Sequence, residues 1–376
     1  MTDWADSGVV PLTGPAAGPP LVPPGRAATV AREIAARCSL PVDGAQLLSE
    51  RAAFTGRGRR GAISVGGSCR ILPTADGWAA VSCARPDDPL LLGALIEAEL
   101  PADPWPAVTR WLRAHSGDEL VARATPLGVA AGPVRPPATP PRLPSPGRVR
   151  SVEGLLVVDF SALWAGPLCA HLLGLLGADV VKVETPQRPD GARGGNAEFY
   201  RLLHAGHRSV VLDPGTAGGR RAMAGLVEAA DIVIEASRPR ALARFGLDAE
   251  AAARAGTIWV SITAYGRSSD RVGFGDDVAA ANGLVALGDD GTPSFCGDAI
   301  ADPLTGLVAT ELARSAPDGR LFDLAMADVV ASTVDSTLPG GAWSGAFARP
   351  RRRAAAGTAP AGGEHTGEVL RELGIR

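Results

Sequence analysis

Lysine is almost missing from this chain. Lys182 is the only one in 376 residues, and arginine supplies nearly all the positive charge. Beside heavy use of alanine, glycine and proline, this points to codon bias and not to a functional signal. A basic excess is also missing. The 37 Lys and Arg against 40 Asp and Glu leave a formal net charge of -3, which argues against a nucleic-acid binder. The cysteines Cys38, Cys69, Cys83, Cys169 and Cys296 are odd in number and scattered. They form no CxxC pair and have no histidine cluster nearby, so neither a metal site nor a disulfide framework is expected, and a reducing cytoplasm is. The N-terminus lacks a basic segment followed by an apolar one, so no signal peptide is expected. No apolar run reaches membrane-spanning length. No GxGxxG fingerprint or Walker lysine motif occurs, which leaves an NAD-dependent dehydrogenase as a weak rival.

What is present suffices for two domains. Residues 1–30 are rich in Pro and Gly and are expected to be irregular. Residues 31–134 form the expected smaller α+β domain. Within it Ala27–Cys38 reads as a helix reaching in from the preceding segment, Arg57–Gly67 as a loop, and Arg70–Cys83 as a hairpin turning at Thr74–Gly77. Residues 88–126 carry helical patterns broken at Pro101, Pro104, Pro106 and Gly117. The proline-dense residues 135–150 read as a linker. Residues 151–376 alternate short apolar runs (LLVVD, DVVKVE, SVVLD, DIVIEA, TIWVSITA) with helices. That alternation predicts βαβ units in an open parallel α/β sheet, with ligands bound beyond the carboxyl ends of its strands. A short echo links residues 5–12 (ADSGVVPL) with 280–287 (AANGLVAL).

The loop FSALWAGP at 160–167 joins a strand to a helix, where amide groups can meet phosphate and where Ala165 and Gly166 would admit a ligand to the backbone. From here several ordered blocks resemble the family III CoA-transferases, the CaiB/BaiF group. They are LLVVDFSALWAGPLCAHLLGLLGADVVKVETPQRPDGAR, HRSVVLD, ADIVIEASRPRALARFGLD, TIWVSITAYG, DPLTG with GRLFDLAMADVV, and GEHTGEVLRELG at the C-terminus. TADGW (74–78) and LGVAAGPV (127–134) resemble the family's small domain, which here precedes the large one instead of following it. A truncated tandem duplication or a circular permutation accounts for that order, with residues 4–20 as a remnant of a preceding large domain.

The resemblance implies an acyl-CoA:carboxylate CoA-transferase in which Asp302 is the covalent nucleophile. Read without it, Asp302 caps the helix that follows. Asp298 is the competing carboxylate. Asp276 and Asp277 match a segment that lines the family's active site, or else form a solvated turn. Gly66 and Gly67 fall at a mobile glycine loop in the family. Backbone amides at the start of the helix after Asp302 are expected to stabilise an oxyanion. For coenzyme A, which is substrate and not a permanently bound cofactor, the resemblance points to Ala165, Gly166, Lys182, Leu212 and Arg244. Lys182 otherwise pairs with Glu184. His204 and His207 read as structural or CoA-side surface groups, and Cys69 as a bystander. The expected partners are an acyl-CoA, a carboxylic acid acceptor and a second copy of the chain in an interlocked homodimer, without nucleic acid, membrane or metal. An acyl-CoA racemase or isomerase and a degenerate CoA-binding paralogue are the alternatives. The racemase branch carries a histidine near Asp276 that this sequence lacks.

Overall fold

Residues 2–55 fold back onto the second half of the chain. The structure, a computed structural model, describes residues 2–136, 141, 143–237, 239–335 and 341–375. Helix α1 (Ala27–Arg37) buries Ala28, Ala31, Ile34 and Ala35, a stripe at helical spacing. These side chains join Trp4, Val9 and Val10 in one apolar cluster with Leu168, Leu172 and Leu304 from far along the chain. The segment expected to be irregular therefore contains a short helix (Thr2–Asp6) and a 3-10 turn (Val10–Leu12). Its proline and glycine content hides this, because the ordering comes from tertiary burial and not from local propensity. Helix α2 (Glu50–Thr55) follows and stops at Gly56, whose φ of 65° suits a left-handed cap.

The smaller unit begins at β1 (Cys69–Thr74), which pairs antiparallel with β2 (Gly77–Ser82) across the expected turn. Helices α3 (Asp88–Ile96), α4 (Trp105–Leu112) and α5 (Gly117–Leu127) cover that hairpin, and β3 (Ala131–Pro133) pairs with β2. Leu72, Val81, Leu92, Leu95, Val108, Leu112 and Leu120 form a core of their own here. Pro106 breaks nothing. It lies in the first turn of α4, where a missing N–H costs no helical bond. Packing thus begins this unit near Cys69, whereas α1 and α2 share the larger core. Of the proline-rich stretch, residues 137–140 and 142 lie outside the described residues, and Arg148–Val149 pair with Ser315–Ala316.

The larger unit is a parallel sheet of β4 (Leu156–Asp159), β5 (Asp179–Glu184), β6 (Arg208–Val211), β7 (Ile232–Glu235), β8 (Ile258–Thr263) and β9 (Arg320–Ala325), as the alternation predicts. Its order is β9-β8-β7-β4-β5-β6. Val157, Val158, Val180, Val181, Ile232, Val233 and Ile234 are all buried, since helices cover both faces. The helices that matter for the site are α6 (Ala165–Leu175), α7 (Gly275–Ala281) and α8 (Ala301–Ala313). The chain runs outward from β4 to β6 and then returns to β4's other side, so a crevice opens at the carboxyl ends between β4 and β7. No helix among the described residues is long and apolar enough to cross a membrane. The echoing segments share one feature. Gly8 (φ 75°) and Gly283 (φ 88°) each leave a helix in the left-handed conformation, but only 285–287 continues as a strand.

Candidate active site

Asp302 is the second residue of α8. It does not cap the helix: Ile300 is the N-cap, no side chain caps it, and the Asp302 carboxylate accepts no hydrogen bond from the described residues. Two left-handed residues, Gly297 (φ 70°) and Ala299 (φ 46°), bend the chain into α8. Ala299 is unusual there because its Cβ makes that conformation costly, and such strain persists only where neighbours hold it. They do. Ala299 N–H donates to Asp276 Oδ1 at 2.8 Å, and Asp302 N–H donates to the Ala299 carbonyl at 2.9 Å. Gly275, at the start of α7, fits against this turn because any Cβ would collide with Asp302 Oδ2 and the Ala299 carbonyl.

The carboxylates of α7 divide. Asp276 faces the cluster that includes Asp298 and Asp302, and the nearby Ser64 hydroxyl favours its charged form. Asp277 turns the other way. Its Oδ1 accepts from Phe274 N–H at 2.9 Å and from the Ser82 hydroxyl on β2 at 2.8 Å, while Oδ2 has no partner. Neither is a solvated turn residue, as both are buried. Burial pushes all three up: Asp302 to about 7, against the pull of Arg51 and with the repulsion of Asp276, Asp277 and Asp298; Asp276 to about 6, with Asp298 adding; and Asp277 to about 7. Gly66 and Gly67 lie in a turn closed by Gly67 N–H to the Ser64 carbonyl at 2.8 Å, so they neighbour Asp276 through Ser64. Burial pushes the Cys69 thiol well up, which fits a bystander.

Further expectations change. In the first turn of α8 the Asp302 amide is spent on Ala299, Pro303 has none and the Leu304 amide reaches Ile300, which leaves that of Ala301 for an oxyanion. Lys182, expected beside CoA, has 1% of its surface exposed. Its Nζ lies 3.0 Å from Asp190, 3.6 Å from Asp159 and 2.6 Å from the Ser161 carbonyl, while Glu184 pairs instead with Arg193. Lys182 thus props the 160–164 loop from beneath. Ala165 and Gly166 are buried, and a Cβ on Gly166 would collide with Ser161, so the small size of Gly166 serves packing against this loop. His204 and His207 are buried, not at the surface, and burial keeps them neutral. Leu212 belongs to the core beside Leu226 and Leu242.

Arg244 stands apart from these. It is exposed and lines a cleft of about 700 Å3 at the carboxyl ends of β7 and β8. Arg188, Arg240 and Arg271 line it too, with Arg85 reaching in from the smaller unit. The cleft runs to Gly273 and Phe274, next to the Gly275 that abuts Asp302. Sequence reasoning missed Arg51. It donates from Nε and Nη2 to Asp298 at 2.9 and 2.5 Å, and its guanidinium sits 4.7 Å from the Trp164 ring. Nothing local marks it, because 247 residues separate the pair. No group of three or more His, Cys, Asp or Glu among the described residues is arranged to hold a metal ion.

Residues 152–365 match the family model described as CoA-transferase family III. A succinate–glutarate CoA-transferase of Agrobacterium fabrum is 32% identical over 211 residues, covering 49% of this chain and 53% of that protein. A formyl-CoA:oxalate CoA-transferase of Escherichia coli O6:H1 is 31% identical over 170 residues, covering 42% and 41%. A CaiB/BaiF family protein of Brucella suis aligns structurally with a TM-score of 0.45 and 28% identity, covering 49% and 55%. The chain spans about half the length of the curated relatives it matches. With the family model spanning more than half of its residues, from the first strand of the parallel sheet to the edge of the C-terminal helix, the chain belongs to CoA-transferase family III.

Proposed function

We propose that the protein moves CoA between carboxylic acids with Asp302 as the covalent nucleophile. One observation carries this: Asp302 sits in a strained, enclosed turn, caps nothing, and faces a glycine that leaves its oxygen uncovered by side chain. A carboxylate raised to about 7 is more nucleophilic than an ordinary one and still ionises near neutrality. The Asp302 oxygen attacks the acyl carbonyl of the donor thioester, the C–S bond breaks, and CoA thiolate leaves an aspartyl mixed anhydride. The thiolate then attacks the aspartyl carbonyl and expels the donor acid as its carboxylate. The acceptor carboxylate attacks the resulting aspartyl-CoA thioester, and the released thiolate takes the acceptor's acyl carbon, restoring Asp302. Each step exchanges a C–S bond with a C–O bond, so electrons and protons balance without a redox partner.

The arginine-lined cleft suits the phosphates of CoA, since guanidinium groups make paired charge-assisted bonds to them. Gly66 and Gly67, beside Asp276, serve as the loop over the acceptor. An active homodimer is part of the same proposal, with sedimentation as its check. A racemase needs a proton shuttle at the α-carbon, and none of the five histidines is among the strongest electrostatic neighbours of Asp302.

Intact-protein mass spectrometry after mixing with succinyl-CoA, formyl-CoA and longer acyl-CoA thioesters tests the proposal. An acyl or CoA adduct that Asp302→Asn abolishes is the expected result. CoA binding without any adduct overturns it: α-proton exchange into deuterated water would then favour a racemase, and none a binding-only paralogue.

A further inference from the structure

Four carboxylates crowd the turn into α8, and Arg51 is the cation that pulls most strongly on Asp302 there. The charges that act on Asp302 come from Asp276 and, turned away on the same helix, Asp277 of α7, from Asp298 in the preceding loop, and from Arg51 of α2. Arg51 holds Asp298 with a two-pronged fork, Nε to Oδ2 and Nη2 to Oδ1. Asp298 is 2% exposed, so this is an enclosed pair and not a surface one. The guanidinium plane rests near the Trp164 ring, in the loop that leaves β4.

Arg51 is itself fixed from both ends of its helix. Glu50 takes three bonds from Arg353, from Nε and Nη2 each at 2.8 Å and from the backbone N–H at 3.1 Å, and the Phe54 carbonyl accepts from Asn196 Nδ2 at 3.1 Å. A side chain locked by its neighbours in this way delivers its charge at a set distance without reorganising. Asp298 lies between Gly297 and Ala299, the two left-handed residues that aim Asp302.

We propose that Arg51 is a positioning residue for the transfer reaction: by clamping Asp298 it holds the turn that aims Asp302, and its charge favours the carboxylate form of that nucleophile. This rests on Asp302 being the nucleophile. It assigns to the segment ahead of the hairpin a part in the chemistry of a site more than two hundred residues away. It also fixes the role of Asp298, which is the partner of the clamp and not a rival nucleophile.

The two members of the clamp act on Asp302 with opposite sign, and that provides the test. Full-length protein is treated with a water-soluble carbodiimide and an amine across the neutral pH range. Modification of Asp302, which requires the protonated carboxyl, is read by peptide mass spectrometry and normalised to the exposed Asp289. Arg51→Gln is expected to move the pH midpoint up by about one unit, and Asp298→Asn to move it down by a similar amount, as loss or gain of a nearby opposite charge does. Arg51→Lys keeps the charge without the fork and returns the midpoint towards wild type while adduct formation from acyl-CoA stays slow. Where Arg51→Gln does not fold, Arg51→Lys and Asp298→Asn decide. Midpoints that stay put, or that move the same way in both variants, overturn the inference. The labelling needs no turnover. If wild type forms no adduct while the midpoints move as stated, the transferase proposal falls and the clamp's control of Asp302 ionisation stands. If adducts form and the midpoints stay put, the clamp falls alone.

Discussion

Charge at the carboxyl edge of the sheet is handled in two ways, according to whether water reaches it. In the cleft, Arg188, Arg240, Arg244 and Arg271 face an open space of about 700 Å3, and pairs such as Arg240 with Asp270 at 2.7 Å stay well exposed. Solvent screens such charges, so each contributes little to folding and remains available to a ligand. Beneath the edge, Lys182, Asp159, Asp190, Asp276 and Asp277 are enclosed. There each charge is either matched by designated partners or driven towards its neutral form. The difference separates a surface that attracts an anion from an interior that sets the shape and ionisation of the proposed nucleophile.

Substitutions can break that comparison, and the largest effect is expected where a buried charge loses its partner. Lys182→Met leaves Asp159 and Asp190 facing one another without a cation, and a loss of about 3–5 kcal/mol is expected. The urea midpoint measures it, and an unchanged midpoint would mean that water already reaches the pair. Asp277→Asn comes next, and its sign depends on pH. The folded carboxyl titrates near 7, well above the ordinary range, so the folded state holds a proton that the unfolded chain has given up. Stability from this group is therefore full in acid and is lost as pH rises from about 4 through 7. Asn keeps the acceptor for Ser82 and Phe274 and cannot ionise. Its advantage over wild type should grow with pH to at most about 4 kcal/mol, read as the difference in Tm between acid and mildly alkaline buffer. Arg244→Ala should be the mildest. A rise of roughly tenfold in the Kd for CoA, with no change in Tm, is expected for one charge-assisted contact at an exposed site. Calorimetry checks it, and a fall in Tm would place Arg244 with the buried set.

The parallel sheet was legible in sequence because its signal is local. Runs such as LVVD and DVVKVE are short, apolar and β-branched, and their strands begin and end within about two residues of expectation. Asp302 was singled out through the DPLTG block of the family resemblance, and Asp276 and Asp277 through the family segment that their stretch matches. What separates the last two was not legible. Adjacent residues on a helix point in different directions, and only the position of Ser82, almost two hundred residues earlier, shows which way each faces. Lys182 misled for a similar reason. A lysine inside an apolar strand looks like a ligand contact until the two aspartates that neutralise it are seen, and Asp159 is its neighbour only by sheet register. Arg51 and the packing of residues 2–55 were hidden because burial against a distant helix leaves no periodicity beyond that of any short amphipathic segment.

The enclosure of Lys182 bears on chemical self-damage. Acyl thioesters and acyl anhydrides acylate amines without enzymatic help, and an enzyme that concentrates them is the protein most exposed to them. Guanidinium groups stay protonated and are poor targets. This chain carries 37 Lys and Arg, and the one amine side chain among them lies under the 160–164 loop, bonded to a carbonyl and flanked by two carboxylates. In the proposed reaction the folded chain presents no accessible side-chain amine to the activated substrates, and the arginines proposed to receive their anionic end cannot be consumed by the reactive one.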